Sequence, residues 1–238
     1  MNDGIAVVTG ANKGIGKQIA RQLAAAGVTV YVGAREAERG RRAVDEIGGD
    51  ARLLVLDVTD AASIASAAQQ VDALDILVNN AGVMVGDEPA PSADLDNFRR
   101  TYETNLFGVL AVTNAFLPTM RRSTRARIVN VSSGTGSLTW SSDPEREFAV
   151  AAGSAAAYRS SKTALNALTV FYAQALAKDG FKVNALAPGL RATDLNARAA
   201  ASDGDPAEAA AGAVRLALLP EDGPTGQFIS WDGTPVPW

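Results

Sequence analysis

The chain is expected to fold as a single doubly wound parallel α/β sheet of about seven strands with helices on both faces, and three observations lead there. Short apolar, β-branched runs recur seven times along 238 residues. Helical patterns separate most of them, as crossovers between parallel strands require. A glycine-rich turn, GANKGIG, joins the first run to the first helix. With 47% hydrophobic residues the chain can bury one sizeable core, and α/β folds of this length are commonly one domain.

The elements follow in order. Residues 5–9 (IAVVT) read as a strand buried on both faces. After the glycine turn, Ile15, Ile19 and Leu23 repeat at helical spacing until Gly27 stops the helix. VTVYV (28–32) completes a βαβ unit, whose crossover is expected to be right-handed. A polar helix (37–47) precedes RLLVL (52–56), and a helix over 61–71 precedes DILVN (75–79). A long helix over 95–121 leads to RIVNVS (127–132). A helix containing YRSSK runs to about residue 177 and precedes FKVNAL (181–186); GQFISW (226–231) closes the series. The alanine-rich piece at 197–213 carries Asp, Gly and Pro, and reads as a mobile lid or a loose helix. No internal repeat or low-complexity linker interrupts the alternation.

Composition removes whole classes of function. The formal net charge of -4 offers no basic face, so no nucleic-acid partner is expected. No run of 18 residues is free of Asn, Gln and charge, so no membrane span is expected; the first residues show no cationic and then apolar pattern, so no secretory leader is expected, and the cytoplasm is the expected compartment. The chain has no cysteine, which removes disulfides, iron–sulfur clusters and thiol nucleophiles. It has no histidine, which removes a Ser-His-Asp triad and the usual zinc sites, so no metal is expected. Proton chemistry is left to Tyr, Lys, Asp and Glu.

That focuses the search on YRSSK. Tyr158 and Lys162 are four apart and share one face of their helix. An ammonium ~4 Å from a phenolate stabilises it by up to ~4 kcal/mol at an effective dielectric of 20. The pair is therefore expected to lower the phenol's pKa and act as an acid/base near neutrality. Tyr and Lys at this spacing also occur on solvated helices, so the pair takes its weight from the rest of the chain.

Gly10, Gly14 and Gly16 lie where a strand turns into a helix, a place where the backbone must turn tightly and where a helix N-terminus offers free N–H groups to a pyrophosphate. The spacing is Gly-x3-Gly-x-Gly, and Lys17 is followed by Gln18, so this is not a Walker loop. TGANKGIG, NNAG (79–82), NVSS (130–133), YRSSK and PGLRATD (188–194) occur in register, and with them the whole chain resembles the short-chain dehydrogenase/reductase family. The resemblance implies a one-domain Rossmann-like oxidoreductase that uses a nicotinamide dinucleotide.

It also implies residue roles. Gly10, Asn12, Lys13, Gly14, Ile15 and Gly16 would cradle the cofactor, Asp57 and Val58 contact its adenine, and Asn80, Ala81 and Gly82 line it. Pro188, Gly189 and Thr193 would hold the nicotinamide end, together with Tyr158 and Lys162. The catalytic set would be Asn105, Ser133, Tyr158 and Lys162, with Tyr158 as proton donor, Ser133 binding the carbonyl oxygen, and Asn105 helping to hold a water beside Lys162. Without the resemblance, Asn105 is a polar helical residue that needs a partner. Ser132 would point to the other face, and Asn166 and Asn184 read as structural. Ala34 stands where users of NAD in this family carry Asp, and Arg35 follows, so NADPH is preferred and NAD is possible. Lys13 would add a second cation, and Glu36 is the contrary feature because it suits a ribose 2′-OH.

Between Ser133 and Tyr158 lies an insert (134–157) of 24 residues, which resembles the extended segment of carbonyl-reductase-like members. It is expected to shape the substrate pocket, with Trp140 and Phe148 as core or lid anchors and a lid-like segment at 190–213; Trp231 and Trp238 would stand near the rim. Charges in the insert cluster at Asp143, Glu145, Arg146 and Glu147, where solvent is expected, and Arg191 is the one charge near the catalytic motifs that would favour a keto acid if it pointed inward. The expected activity is reduction of an apolar ketone, ketoester or aldehyde, reversibly an alcohol dehydrogenase. An isomerase or dehydratase on the same fold, or a non-catalytic dinucleotide sensor, are the alternatives. Surplus apolar residues on the two long helices (Phe107, Leu110, Phe116, Leu168, Phe171 and Tyr172) suggest a homo-oligomer, a dimer or tetramer.

Overall fold

A computed structural model describes residues 4–146 and 153–238. The seven strands are β1 (Ile5–Val8), β2 (Thr29–Ala34), β3 (Ala51–Val55), β4 (Ile76–Asn79), β5 (Arg127–Val131), β6 (Lys182–Ala187) and β7 (Phe228–Ser230). They form one all-parallel sheet in the order β3-β2-β1-β4-β5-β6-β7. The order reverses between β1 and β4, which opens a crevice at the carboxyl ends of those strands.

The apolar runs form strands because both faces are covered. Along β1, Ala6 and Val8 pack with Ile19 and Leu23 of α1 (Gly14–Ala25) and with Ala210 and Ala213 of α9 (Pro206–Ala217). Val7, between them, points the other way and joins Phe116 of α5 (Gly108–Met120) and Tyr172 of α7 (Ala156–Ala175). The polar helix α2 (Ala37–Ile47) and α3 (Ala61–Gln69) fill the remaining crossovers on the β1–β3 side.

Three expectations need correction, and the core-or-lid choice for Trp140 resolves to the core. The long helix over 95–121 is α4 (Leu95–Tyr102) and α5 joined by a π turn, Glu103–Phe107, which buries Asn105 at the widened point. The alanine-rich stretch divides: Ala197–Ala200 is a short helix (α8), whereas residues 206–213 belong to α9, whose Ala209, Ala210 and Ala213 are fully buried. The stretch left on the surface is 190–205. Of the apolar residues read as surplus, Phe116 and Tyr172 lie in the core, and the Tyr172 hydroxyl donates to Asn114 Oδ1 at 2.7 Å. Trp140, on α6 (Leu138–Ser142), packs against Ala185, Ala187, Phe228 and Val236, with the Arg146 guanidinium 4.7 Å above its ring. Phe148 and Glu147 lie outside the described residues.

The first part of the insert is anchored by the end of the chain. The Trp238 carbonyl accepts from the Thr139 amide (3.2 Å) and hydroxyl (2.9 Å), and the Trp238 ring stacks on Phe228 at 5.4 Å. The last part is anchored by the loop after β4, where the Asp87 and Glu88 carbonyls accept from the Ala155 and Ala156 amides. Ala155 takes a left-handed φ of 53° there, a strained conformation for a residue with a Cβ, immediately before the helix that carries Tyr158.

Candidate active site

The sheet delivers the singled-out residues to one edge. Gly10 follows β1, Asn80–Gly82 follow β4, Ser133 follows β5, and Pro188 and Gly189 follow β6, all at carboxyl ends. Asn79 and Asn130 are register partners on β4 and β5, and Asn79 Nδ2 donates to Asn130 Oδ1 at 2.9 Å and to Thr113 at 3.1 Å. Asn130 in turn donates to Thr169 at 2.9 Å, so a buried polar chain ties β4 and β5 to α5 and α7 beneath the site.

The glycine turn is closed by packing and by two side chains, Asn80 and Thr9, the second of which sequence reasoning passed over. A Cβ on Gly16 would lie 2.3 Å from Asn80 Nδ2 and 2.6 Å from the Gly10 carbonyl, so only glycine fits. Asn80 Nδ2 donates to the Thr9 and Gly10 carbonyls at 2.9 and 3.1 Å, which fixes the turn from the β4 side. Thr9 accepts from the Asn80 and Ala81 amides, each at 2.9 Å. Thr9 was legible only as the last residue of an apolar run.

Helix α1 begins at Gly14 with no side-chain cap and no acid in its first turn. By contrast, Asp60, Asp94 and Asp205 cap α3, α4 and α9. The uncapped N–H groups of α1 therefore suit an anionic ligand, and the residues present fit a dinucleotide pyrophosphate. Lys13 is not free above this turn: its Nζ lies 2.5 Å from Asp194, whose carboxyl it holds below the usual range. A Cβ on Gly14 would be 3.4 Å from Thr193, which brings the PGLRATD segment over the turn.

At the end of β2, Ala34 is buried and no carboxylate stands in its place. Arg35 is largely exposed, 3.7 Å from Glu36, and Arg39 holds the other Glu36 oxygen at 2.9 Å. Arg39 was missed from the sequence because it reads as one of several arginines on a polar helix. Asp57 spends one oxygen on the Thr59 amide and hydroxyl (2.9 and 2.7 Å), and Val58 abuts Gly108 of α5, where a Cβ would be 2.7 Å from its carbonyl.

The acid/base group is built on α7. Tyr158 is partly exposed, and Lys162, one turn on, is 4% exposed. The Lys162 ammonium donates to the Val131 carbonyl at 2.9 Å and lies 5.7 Å from the centroid of the Tyr158 ring. This corrects the expected effect of the pair: burial raises the Tyr158 pKa, and the opposing influence is a hydrogen bond with Ser133. Lys162 is itself depressed to about 8 by burial. Ser133 also shares a hydrogen bond with the Thr135 hydroxyl at 2.8 Å. Its neighbour Ser132 is buried and bonds Asn166 Oδ1 at 2.5 Å, on the side away from the crevice.

Asn105 sits fully buried in the π turn. It accepts from the Val83 amide at 2.8 Å, donates to the Val83 carbonyl at 2.9 Å, and donates to Ser161 at 3.0 Å. Gly82 separates it from Lys162: a Cβ there would be 3.4 Å from Asn105 Oδ1 and 3.5 Å from Lys162 Nζ. Ser161 is a further residue the sequence reading passed over, since it is the middle of YRSSK and looks like a spacer.

Arg191 turns away from these groups. It is 8% exposed, its guanidinium stacks 4.1 Å over Trp231, and Nη2 lies 3.4 Å from Glu208. Asn196 reaches Met84 at 3.0 Å, which joins the 190–205 stretch to the loop after β4.

The comparisons agree with this geometry. The sequence pattern of the family described as short chain dehydrogenase matches residues 4–204. The (+)-neomenthol dehydrogenase of Arabidopsis thaliana is 37% identical, over 94% of this chain and 95% of its own length. Salutaridine reductase of Papaver bracteatum is 34% identical, over 94% and 93%. Among solved structures, NADPH-bound carbonyl reductase from chicken fatty liver superposes with a TM-score of 0.85 at 27% identity, over the full length of both chains.

Proposed function

The chain belongs to the short-chain dehydrogenase/reductase family, on its carbonyl-reductase-like branch, as an NAD(P)-dependent oxidoreductase, and on that premise we propose that it is an NADPH-preferring carbonyl reductase. Its substrates are apolar ketones, ketoesters or aldehydes, and it runs in reverse as an alcohol dehydrogenase. The observation that carries this reading is Tyr158, partly exposed at the crevice, with the Ser133 hydroxyl opposing the rise in its pKa and with Lys162 and Asn105 buried behind it.

The bound nicotinamide supplies the hydride. The protein's part is to place the carbonyl and to handle the proton. Ser133 and Tyr158 both present O–H groups to one carbonyl oxygen, and the Tyr158 phenol gives up its proton as negative charge develops there. The raised phenol pKa keeps Tyr158 protonated at neutral pH, which suits the reductive direction. Lys162, cationic below about pH 8, stabilises the phenolate left behind, and Asn105 holds the floor next to it.

NADPH is favoured because no acid occupies position 34, and because Glu36 is engaged by both Arg35 and Arg39. That cluster carries one net positive charge and suits a 2′-phosphate more than a 2′-OH. Lys13 adds a cation only when its bond to Asp194 opens. An apolar substrate is favoured because Arg191 is spent on Trp231 and Glu208. The described ends of the insert, 134–146 and 153–157, and the 190–205 stretch adjoin Ser133, Tyr158 and Gly189 in the chain and would form walls of the substrate pocket. Pairing of two copies through α4, α5 and α7 would cover Phe107, Leu110 and Phe171, which are 50%, 39% and 61% exposed.

The test is loss of the reduced nicotinamide's near-ultraviolet absorbance when the protein is mixed with NADPH and an aryl ketone, a β-ketoester or a keto acid of similar size. Turnover of the first two ahead of the keto acid is expected. No turnover of any carbonyl, with cofactor bound, would overturn the reading in favour of a sensor.

A further inference from the structure

The amino edge of the sheet, at the end opposite the catalytic residues, holds a cavity with charged groups in its wall. It measures about 230 Å³ and is lined by Gly4, Asp75, Arg125, Arg127 and the turn that follows α9. That is well above the ~30 Å³ a water occupies in the liquid, and leaves room for a compact oxyanion with part of its hydration.

Arg127 is the unusual wall residue. It opens β5, where a parallel strand covered on both faces normally carries an apolar side chain, and it is only 3% exposed. Its Nε donates to the Leu219 carbonyl at 2.9 Å and Nη1 to the Ala126 carbonyl at 3.1 Å. A guanidinium has five N–H donors, so three are left over after those two bonds. Among the described residues no carboxylate comes within 4.0 Å of it.

The neighbours balance it only in part, and none at ion-pair distance. Arg125 faces the same cavity, packed so closely on Gly4 that a Cβ there would meet its Nη2 at 3.2 Å. Asp75 is already engaged: its carboxylate accepts from the Ile5 amide at 2.9 Å and the Ser123 hydroxyl at 2.5 Å, with Arg125 standing 4.0 Å away. Glu221 is exposed at the mouth and makes no ion pair among the described residues. Burial holds the Arg127 guanidinium below the usual arginine range; Glu221 opposes that and Arg125 adds to it. A buried cation with no carboxylate at ion-pair distance is costly, and a bound anion offsets that cost.

We infer that this cavity binds a small oxyanion, a phosphate or a carboxylate, between Arg127 and Arg125. The planar fork of a guanidinium matches either group through paired N–H donors. Because Arg127 also holds the Leu219 carbonyl, the occupant pins the turn after α9 to the foot of the sheet. Glu221 competes with it.

The test is thermal melting in phosphate, acetate and chloride at matched ionic strength. The protein is first saturated with its nicotinamide dinucleotide, so that the cofactor's own phosphate sites are filled. The expected result is a midpoint above that in chloride, by about 3 °C at ten times the dissociation constant. A larger effect of phosphate than of acetate assigns phosphate, and the reverse assigns a carboxylate. Arg127→Met abolishes the excess, and Glu221→Gln, at an exposed position, lowers the concentration needed several-fold. If Arg127→Met does not fold, Arg125→Gln gives the same readout by weakening the effect. Equal midpoints in the three salts, or an excess that survives the arginine substitutions, would overturn the inference.

Discussion

The Lys162 ammonium lies 5.7 Å from the Tyr158 ring centroid and spends a hydrogen bond on the Val131 carbonyl, 2.9 Å away, at the end of the neighbouring strand. Helical spacing puts the two side chains on one face, but the lysine is held toward the sheet. It is a buried charge at the carboxyl edge, held there at a cost in stability.

That cost is measurable. The Lys162 pKa is lowered from 10.5 to about 8 by burial, a shift equivalent to roughly 3 kcal/mol of folding free energy at neutral pH. Between about pH 8 and 10.5 the unfolded chain binds more protons than the folded one, so the lysine's contribution to stability rises with pH across that window. Lys162→Met should therefore be more stable than the parent at pH 7 by about 2 kcal/mol, after the loss of one hydrogen bond worth ~1 kcal/mol. Above pH 10.5 the charge cost is gone and only the lost hydrogen bond remains, so the sign should reverse, to about 1 kcal/mol in the parent's favour. Denaturant melts across this range check it, and a Met variant less stable than the parent at pH 7 would contradict it.

Asn105→Ala should be destabilising as well as damaging to turnover. It removes three hydrogen bonds and leaves Val83 without its partner on either side of the peptide. A loss of about 3 kcal/mol is expected, or roughly 6–12 °C in Tm for a chain of this size. Calorimetry reads it, and a change below about 2 °C would mean that the π turn holds itself.

Cofactor choice should follow the Arg35–Glu36–Arg39 cluster. Arg35→Asp reverses a charge beside Glu36 and is expected to weaken NADPH binding at least tenfold more than NADH binding. Arg39→Ala, which frees Glu36, should move the ratio the same way by less. Fluorescence titration of both cofactors decides it. An unchanged ratio in Arg35→Asp would transfer the choice to Lys13.

The fold was legible because its signals are local. Apolar runs gave all seven strands, and the polar helix was read to its observed ends, 37–47. Helical periodicity runs unbroken through 95–120, so the π turn at Glu103–Phe107 left no trace in it. In the alanine-rich stretch, Asp205 followed by Pro206 is an N-cap and first-turn signal that marks α9, and composition masked it. Phe116 and Tyr172 looked surplus because periodicity does not say how wide a stripe the sheet covers. The candidate site's residues were singled out by type and spacing, and the structure gathers them at one sheet edge. Their contacts were not legible: the Asn79–Asn130 pair depends on register, and the Val131 carbonyl that takes Lys162 depends on how α7 lies on β5.

The central claim is that Tyr158 is the proton donor, and Tyr158→Phe tests it most directly. The phenyl ring keeps the shape and loses only the O–H, so NADPH binding by fluorescence titration should stay within about threefold of the parent. Single-turnover reduction of an aryl ketone should fall by ~10²–10⁴-fold, the range expected for loss of a general acid. A variant that binds cofactor normally and keeps more than about a tenth of the parent's single-turnover rate would contradict the account.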